Sequence, residues 1–116
     1  MEQEEKNLIT IEDFKKLDLR IGTVTAAEKI PDADKLIRLL VDLGEQEPRQ
    51  IIAGIAAFVP EPEELIGKQY VFVANMAPRM LRGLQSNGML LAASTDEGTF
   101  AFLVPTTKIP SGSRLK

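Results

Sequence analysis

Residues 36–43 read LIRLLVDL, and the alternation in this stretch decides the class of fold. Ile37, Leu39, Val41 and Leu43 fall on one side of an extended chain, with Arg38, Leu40 and Asp42 on the other. A helix would scatter those four apolar residues around its circumference, so the two-residue period predicts a half-buried strand. Upstream, PDADK at 31–35 is a turn, and Leu19, Ile21, Val24 and Ala26 mark a preceding strand. Its alternation changes phase at Gly22, which predicts a β-bulge there. Downstream, a polar connection over 44–48 leads to a third strand at Arg49–Ala57. Residues 61–67 form a short helical piece, with Pro62 near its start and Gly67 at its stop. A fourth strand follows at Lys68–Asn75 and a fifth at Met89–Ser94, with a loop between them. Asp96, Glu97 and Gly98 turn the chain into an apolar segment, Phe100–Val104, and residues 105–116 form a terminal segment punctuated by proline and glycine. At the N-terminal end Thr10 caps a helix over residues 9–17, with Asp13 at its third position. Ile9 is placed to staple against Phe14, and the face shared by Ile11, Phe14 and Leu17 is expected to dock on the sheet.

Strands at this spacing predict an all-β chain: an OB-fold, that is a five-stranded Greek-key barrel, with short helices and a C-terminal extension. Another small barrel or an open sandwich is the alternative. Residues 1–8 read as a flexible tail or the end of a linker, and residues 9–116 as one domain. The apolar strand at 100–104 exceeds what a five-stranded barrel needs, which points to a subunit contact, most simply a homodimer.

Composition narrows the chemistry. The 116 residues are 44% hydrophobic and 27% charged, the balance of an ordinary globular domain. No apolar run approaches the roughly 20 residues that span a bilayer. The start MEQEEK lacks a signal peptide's basic and apolar character, so a cytoplasmic protein without membrane contact is expected. Cysteine and histidine are both absent, which removes thiol nucleophiles, the commonest proton shuttle and the commonest metal ligands. With no triad or phosphate-cradling glycine loop either, the expectation is a binding protein without catalytic residues, metal or cofactor. Glu61, Glu63 and Glu64 are read as a solvated helix start.

The net charge of -3 counts against a generic nucleic-acid binder, but the distribution is uneven. Between Glu64 and Asp96 there is no acidic residue, while Lys68, Arg79 and Arg82 are present. Arg79, Arg82, Gln85, Ser86 and Asn87 cluster as donors suited to phosphate and sugar oxygens. Lys35 stands at the mouth of a strand, and Arg38 and Arg49 are placed to lie side by side on one sheet face. Arg20 faces outward opposite Leu19 and Ile21, where Asp18 could neutralise it. Met76, Met80, Leu81 and Leu84 read as barrel core, and the phenylalanines mostly as core, which leaves few rings for base stacking. Recognition of a folded RNA's shape and backbone therefore fits better than capture of single strands.

Four ordered motifs carry a family resemblance: DLRIG (18–22), PDADKL (31–36), RQIIAGI (49–55) and NMAPRMLRGLQSNGMLLA (75–92). The chain resembles the tRNA-binding domain found at the C-terminus of many methionyl-tRNA synthetases, in free-standing bacterial tRNA-binding proteins and in endothelial monocyte-activating polypeptide II. The opening ITIEDFKKLDLRIG (9–22) is most similar to the synthetase-appended form. The resemblance implies an OB barrel, homodimerisation, and binding of tRNA by overall shape with little sequence preference, in aid of a synthetase catalytic domain in cis or in trans. It also implies Lys35, Ser86 and Met89 as tRNA contacts, with Arg20, Asn75, Arg79 and Arg82 as neighbours. Ile30 departs from the pattern, since many relatives have histidine before the proline of the 31–36 turn. A secretion-related chaperone has similar architecture, which makes a peptide-binding module the alternative.

Overall fold

In the computed structural model, which describes residues 7–116, the strands in chain order are β1 (Leu19–Lys29), β2 (Ile37–Asp42), β3 (Arg49–Ala53), β4 (Gln69–Val73), β5 (Arg79–Leu81), β6 (Leu84–Ser86), β7 (Met89–Leu90), β8 (Ala92–Ser94) and β9 (Phe100–Phe102). The alternation of residues 36–43 is realised as β2, whose Ile37, Leu39 and Val41 are fully enclosed together with Leu43. β1 is long enough to serve two antiparallel partners: Thr23–Lys29 pairs with β2, and Leu19–Thr23 pairs with β4. The five-stranded sheet runs β3-β2-β1-β4-β7.

The two edges of that sheet meet. The Asn87 amide donates to the Gln50 carbonyl at 2.8 Å, and Gln50 Nε2 donates to the Gln85 carbonyl at 2.9 Å. The Ser86 hydroxyl accepts from the Ile52 amide at 2.9 Å and donates to the Gly88 carbonyl at 3.2 Å. Strand order and closure together are those of an OB-type all-β barrel. Phe72, Ile51 and Val24 complete its interior.

Several expectations change in detail. Gly22 is not a bulge: it sits in regular register with Tyr70, and the slip against β2 comes between Val24 and Ala26. A Cβ at Gly22 would stand 2.6 Å from Val41 Cγ1 and 2.8 Å from Phe72 Cδ1, so glycine is there for close packing. β3 stops at Ala53, because the Ala56 amide turns to the Lys35 carbonyl at 3.2 Å, and residues 56–58 form a 3₁₀ turn. The expected helical piece at 61–67 is a 3₁₀ turn at Pro62–Leu65. The expected fifth strand divides in two. After the Leu91 amide bonds the Val71 carbonyl at 3.0 Å, the chain leaves the barrel sheet and β8 pairs with β9. β9 carries Phe100 and Phe102 back onto the core, the latter ring 4.5 Å from Tyr70, so the surplus strand spends its aromatic surface within the chain.

The helix α1 (Ile11–Lys15) has the expected cap, with reciprocal Thr10 and Asp13 bonds of 3.1 Å each. It does not dock on the sheet. Ile11 is 61% exposed, and the face of Ile11, Phe14 and Leu17 lines an open groove beside Leu115. The C-terminal segment takes the backbone edge nearby: Ile21 N–H donates to the Ser113 carbonyl and Leu115 N–H to the Leu19 carbonyl, at 2.8 and 2.9 Å. Residues 1–6 of the expected tail lie outside the described residues.

Ser86→Ala is expected to lower stability by about 1–3 kcal/mol, because it strips the buried Ile52 amide of its acceptor at the barrel seam. Chemical denaturation of the variant checks this; an unchanged midpoint would mean the seam holds without the hydroxyl.

Candidate nucleic-acid interface

Two connections carry the candidate site, and both are shaped by their backbones. The β1–β2 turn is a tight knot: Ala33 N–H donates to the Ile30 carbonyl at 3.2 Å and Leu36 N–H to the Ala33 carbonyl at 3.1 Å, with Ala33 buried. This leaves Lys35 exposed at the rim. The β4–β7 connection, expected as a loop, contains the hairpin β5–β6. Its two-residue turn has both φ angles positive, 52° at Arg82 and 80° at Gly83, the conformation that matches the twist of paired strands. Arg79, Met80 and Arg82 are exposed along it. Met80 is 65% exposed, so it is no barrel plug, and Met76 is exposed as well. Leu81 and Leu84 are half-buried.

The fold brings the two connections together. Lys35 and Arg82 line one depression, with Asp32 and Asp34 from the turn. Arg79 and Met89 line the adjacent one, with Leu36 and Gly54. Among the described residues none of the ion pairs involves Lys35, Arg79 or Arg82.

The other expected site residues have partners within the chain. Arg20 makes two bonds to the Asp18 carboxylate at 3.0 and 2.8 Å, one to the Leu43 carbonyl at 3.2 Å, and stands 3.6 Å from Glu45. Arg49 grips Glu45 at 2.9 and 2.7 Å and also donates to the Ala74 and Asn87 carbonyls. Asn75 accepts from the Asp18 amide at 2.9 Å and donates to the Lys16 carbonyl at 2.6 Å, which ties the exit of α1 to the end of β4. Arg38 and Arg49 do not lie side by side. Arg49 has the parity of the inward-facing Ile51, opposite Val41, whereas Arg38 is on the outer face, bonded to Gln50 at 2.5 Å and Glu28 at 2.9 Å. Ser86 is 4% exposed and occupied in the seam.

The arginine network perturbs its acids. The hydrogen bond from Arg20 holds the Asp18 carboxyl below its ordinary value, and Arg49 does the same to Glu45. Asp18 in turn raises Arg20 further.

One exposed ring escaped the sequence reading. Phe58 is 45% exposed and lies 4.4 Å from Phe100 with an interplanar angle of 7°, so one of its faces is stacked while the ring stays open to solvent. Its position after Gly54, where β3 has already ended, is the signal that separates it from the core phenylalanines.

A family model described as a putative tRNA binding domain matches residues 19–114. The chain belongs to this tRNA-binding domain family. Among curated relatives, it is 50% identical over 111 residues to a methionine–tRNA ligase of Thermotoga maritima, covering 96% of this chain and 17% of the relative. Against the enzyme of the same name from Methanosarcina mazei it is 46% identical over 109 residues, covering 94% and 15%. The chain thus spans about a sixth of the length of these relatives. Among solved structures it is similar to a MetRS related protein from Pyrococcus horikoshii (TM-score 0.86, 40% identity, 94% of this chain and 98% of that one). It is also similar to the chaperone CsaA of Bacillus anthracis (TM-score 0.83, 38% identity, 94% and 99%). A family defined by binding agrees with the reading of this tRNA-binding domain as non-catalytic. No helix among the described residues is long and apolar enough to cross a membrane.

Asp18 and Glu45 bind protons more weakly folded than unfolded, so their stabilisation is in place above their ordinary values of 3.8 and 4.5 and is lost as pH falls through the lowered folded values. Urea midpoints followed from about pH 6 down to about pH 3 should therefore fall, and fall less steeply in an Asp18→Asn, Glu45→Gln double variant. Parallel profiles for the two proteins would contradict the network's role.

Proposed function

We propose that this domain binds tRNA by its backbone and shape, with little sequence preference, and raises the local concentration of tRNA for an aminoacylating catalytic domain in cis or for a partner synthetase in trans. The observation that carries the reading is the convergence of Lys35, Arg79 and Arg82, from the two connections that OB barrels use for nucleic acid, with no intramolecular ion pair among the described residues to consume their charge. Met89 and Leu36 add an apolar floor between them. Arg20, Arg38, Arg49 and Asn75 act mainly by holding the barrel end that presents the hairpin, and Ser86 by holding the seam beneath it. The membership in a family described as tRNA-binding, and relatives named methionine–tRNA ligase, support the same reading. The module spans residues 9–116 and works in the cytoplasm.

Phosphate contacts make affinity salt-dependent through counterion release. Replacing Arg79 or Arg82 with alanine should weaken tRNA binding and flatten the plot of log affinity against log salt by roughly 0.7–0.9 per lost contact. Anisotropy titrations over a salt series give this directly, and an affinity indifferent to salt would sink the phosphate account. Titration of an unfolded peptide beside tRNA separates this reading from a CsaA-like chaperone.

The domain is proposed to act as a homodimer through the open groove of Ile11, Phe14, Leu17 and Leu115, because a two-fold axis covers the same apolar patch on both copies. Leu17→Lys should convert a dimer to a monomer in light scattering. A wild-type protein that is monomeric at micromolar concentration would overturn this.

A further inference from the structure

A second set of cations lies at the other end of β4 from the hairpin. Strands rise about 3.3 Å per residue, which puts roughly 20 Å between Lys68 before β4 and Ala74 after it. There the chain from Val104 to Lys108 crosses the start of the strand and walls an open depression. Lys68, Lys108, Thr106 and Thr107 line it, Tyr70 and Phe102 form its inner side, and among the described residues none that lines it is acidic. From Gly98 to Lys116 the chain contains no aspartate or glutamate.

The depression is built. Gln69 clamps its far wall: Nε2 donates to the Ile109 carbonyl at 2.6 Å, and Oε1 accepts from the Ile109 amide at 3.2 Å. Tyr70 is 4% exposed as a residue and its ring packs against Phe102, while its hydroxyl, with no hydrogen-bond partner among the described residues, is not among the buried polar atoms and so opens to solvent at the depression. Burial raises the phenol further above its ordinary value, so the hydroxyl stays a donor. Neither lysine takes part in an ion pair among the described residues.

We infer that this depression is a phosphate-binding site, with Tyr70 Oη as a donor fixed by its packed ring, Lys68 and Lys108 as counter-charges and the Thr106 and Thr107 hydroxyls at the rim. Five donors from two chain segments, 68–70 and 106–108, suit a tetrahedral acceptor with several oxygens better than a carboxylate with two, and two ammonium groups offset a dianion. The phosphate is carried either by an RNA or by a small phosphorylated molecule. The inference uses no residue of the tRNA-facing surface and stands apart from that reading.

The test is an NMR titration of the ¹⁵N-labelled domain with inorganic phosphate, without RNA. Saturable shifts confined to the amides of residues 68–70, 104 and 106–109 are expected. Tyr70→Phe, which keeps the packed ring, should weaken binding roughly fivefold, the worth of one hydrogen bond, and Lys108→Gln at least as much. Shifts that never saturate, that persist unchanged in both variants, or that acetate reproduces at equal concentration would overturn the proposal. A parallel tRNA titration identifies the source: if RNA supplies the phosphate, Tyr70→Phe and Lys108→Gln also weaken tRNA binding, and if a small molecule supplies it, tRNA affinity stays while phosphate binding is lost. Because the phosphate titration contains no RNA, its failure is distinguishable from failure of the tRNA reading.

Discussion

The structure depends on how closely strands can approach β1 at Gly22. Val41, Leu43 and Phe72 reach across that position to distances no side chain there would permit. Phe72 is fully buried and sits on β4, while Val41 is on β2 and Leu43 directly after it. One missing Cβ thus lets the two neighbours of β1 share a single apolar centre instead of splaying apart. Burial of these side chains is worth about 1.5–3 kcal/mol each, so the centre dominates what holds a small barrel together. The backbone of β1 bonds to β2, β4 and the C-terminal segment, and every other element is placed relative to it.

From that centre the functional surfaces follow by geometry. The slip in register after Val24 curves β1 so that its far end and the turn beyond it reach the β4–β7 connection. The seam at Ser86 and Gln50 then sets the hairpin over the barrel edge, where Arg82 faces the turn that bears Lys35. Two groups of cations stand apart among the described residues. Arg20, Arg38 and Arg49 are satisfied by carboxylates and carbonyls of the chain and act as fasteners. Lys35, Arg79, Arg82, Lys68 and Lys108 take part in no ion pair among the described residues, as is also true of Lys15, Lys29 and Lys116, and the first five line the depressions near the two ends of β4. Charge left unpaired within a chain of net charge -3 is available to an outside anion.

Residue type and spacing were enough for the parts governed by local rules. The two-residue period at 37–43, the Thr10 cap, the turn at residues 31–35 and the 96–98 hairpin turn are legible because each rests on contacts between residues near in sequence. The turn of the β5–β6 hairpin was not, because it places a non-glycine residue, Arg82, at positive φ. Such a turn has no apolar pattern to announce it.

The sequence by itself determined the class of fold, the family and the charge asymmetry that directs attention to an anionic partner, since these depend on period, motif order and composition. Only the tertiary structure decided which cations remain available. Arg20 and Arg82 look alike in the chain, and what separates them is a carboxylate at 2.8 Å from one and none in ion-pair reach of the other among the described residues. The same holds for Ser86, whose hydroxyl is enclosed by the meeting of two strand edges 34 positions apart. Long-range contact sets burial and pairing, and burial and pairing decide whether a polar group faces the fold or a ligand.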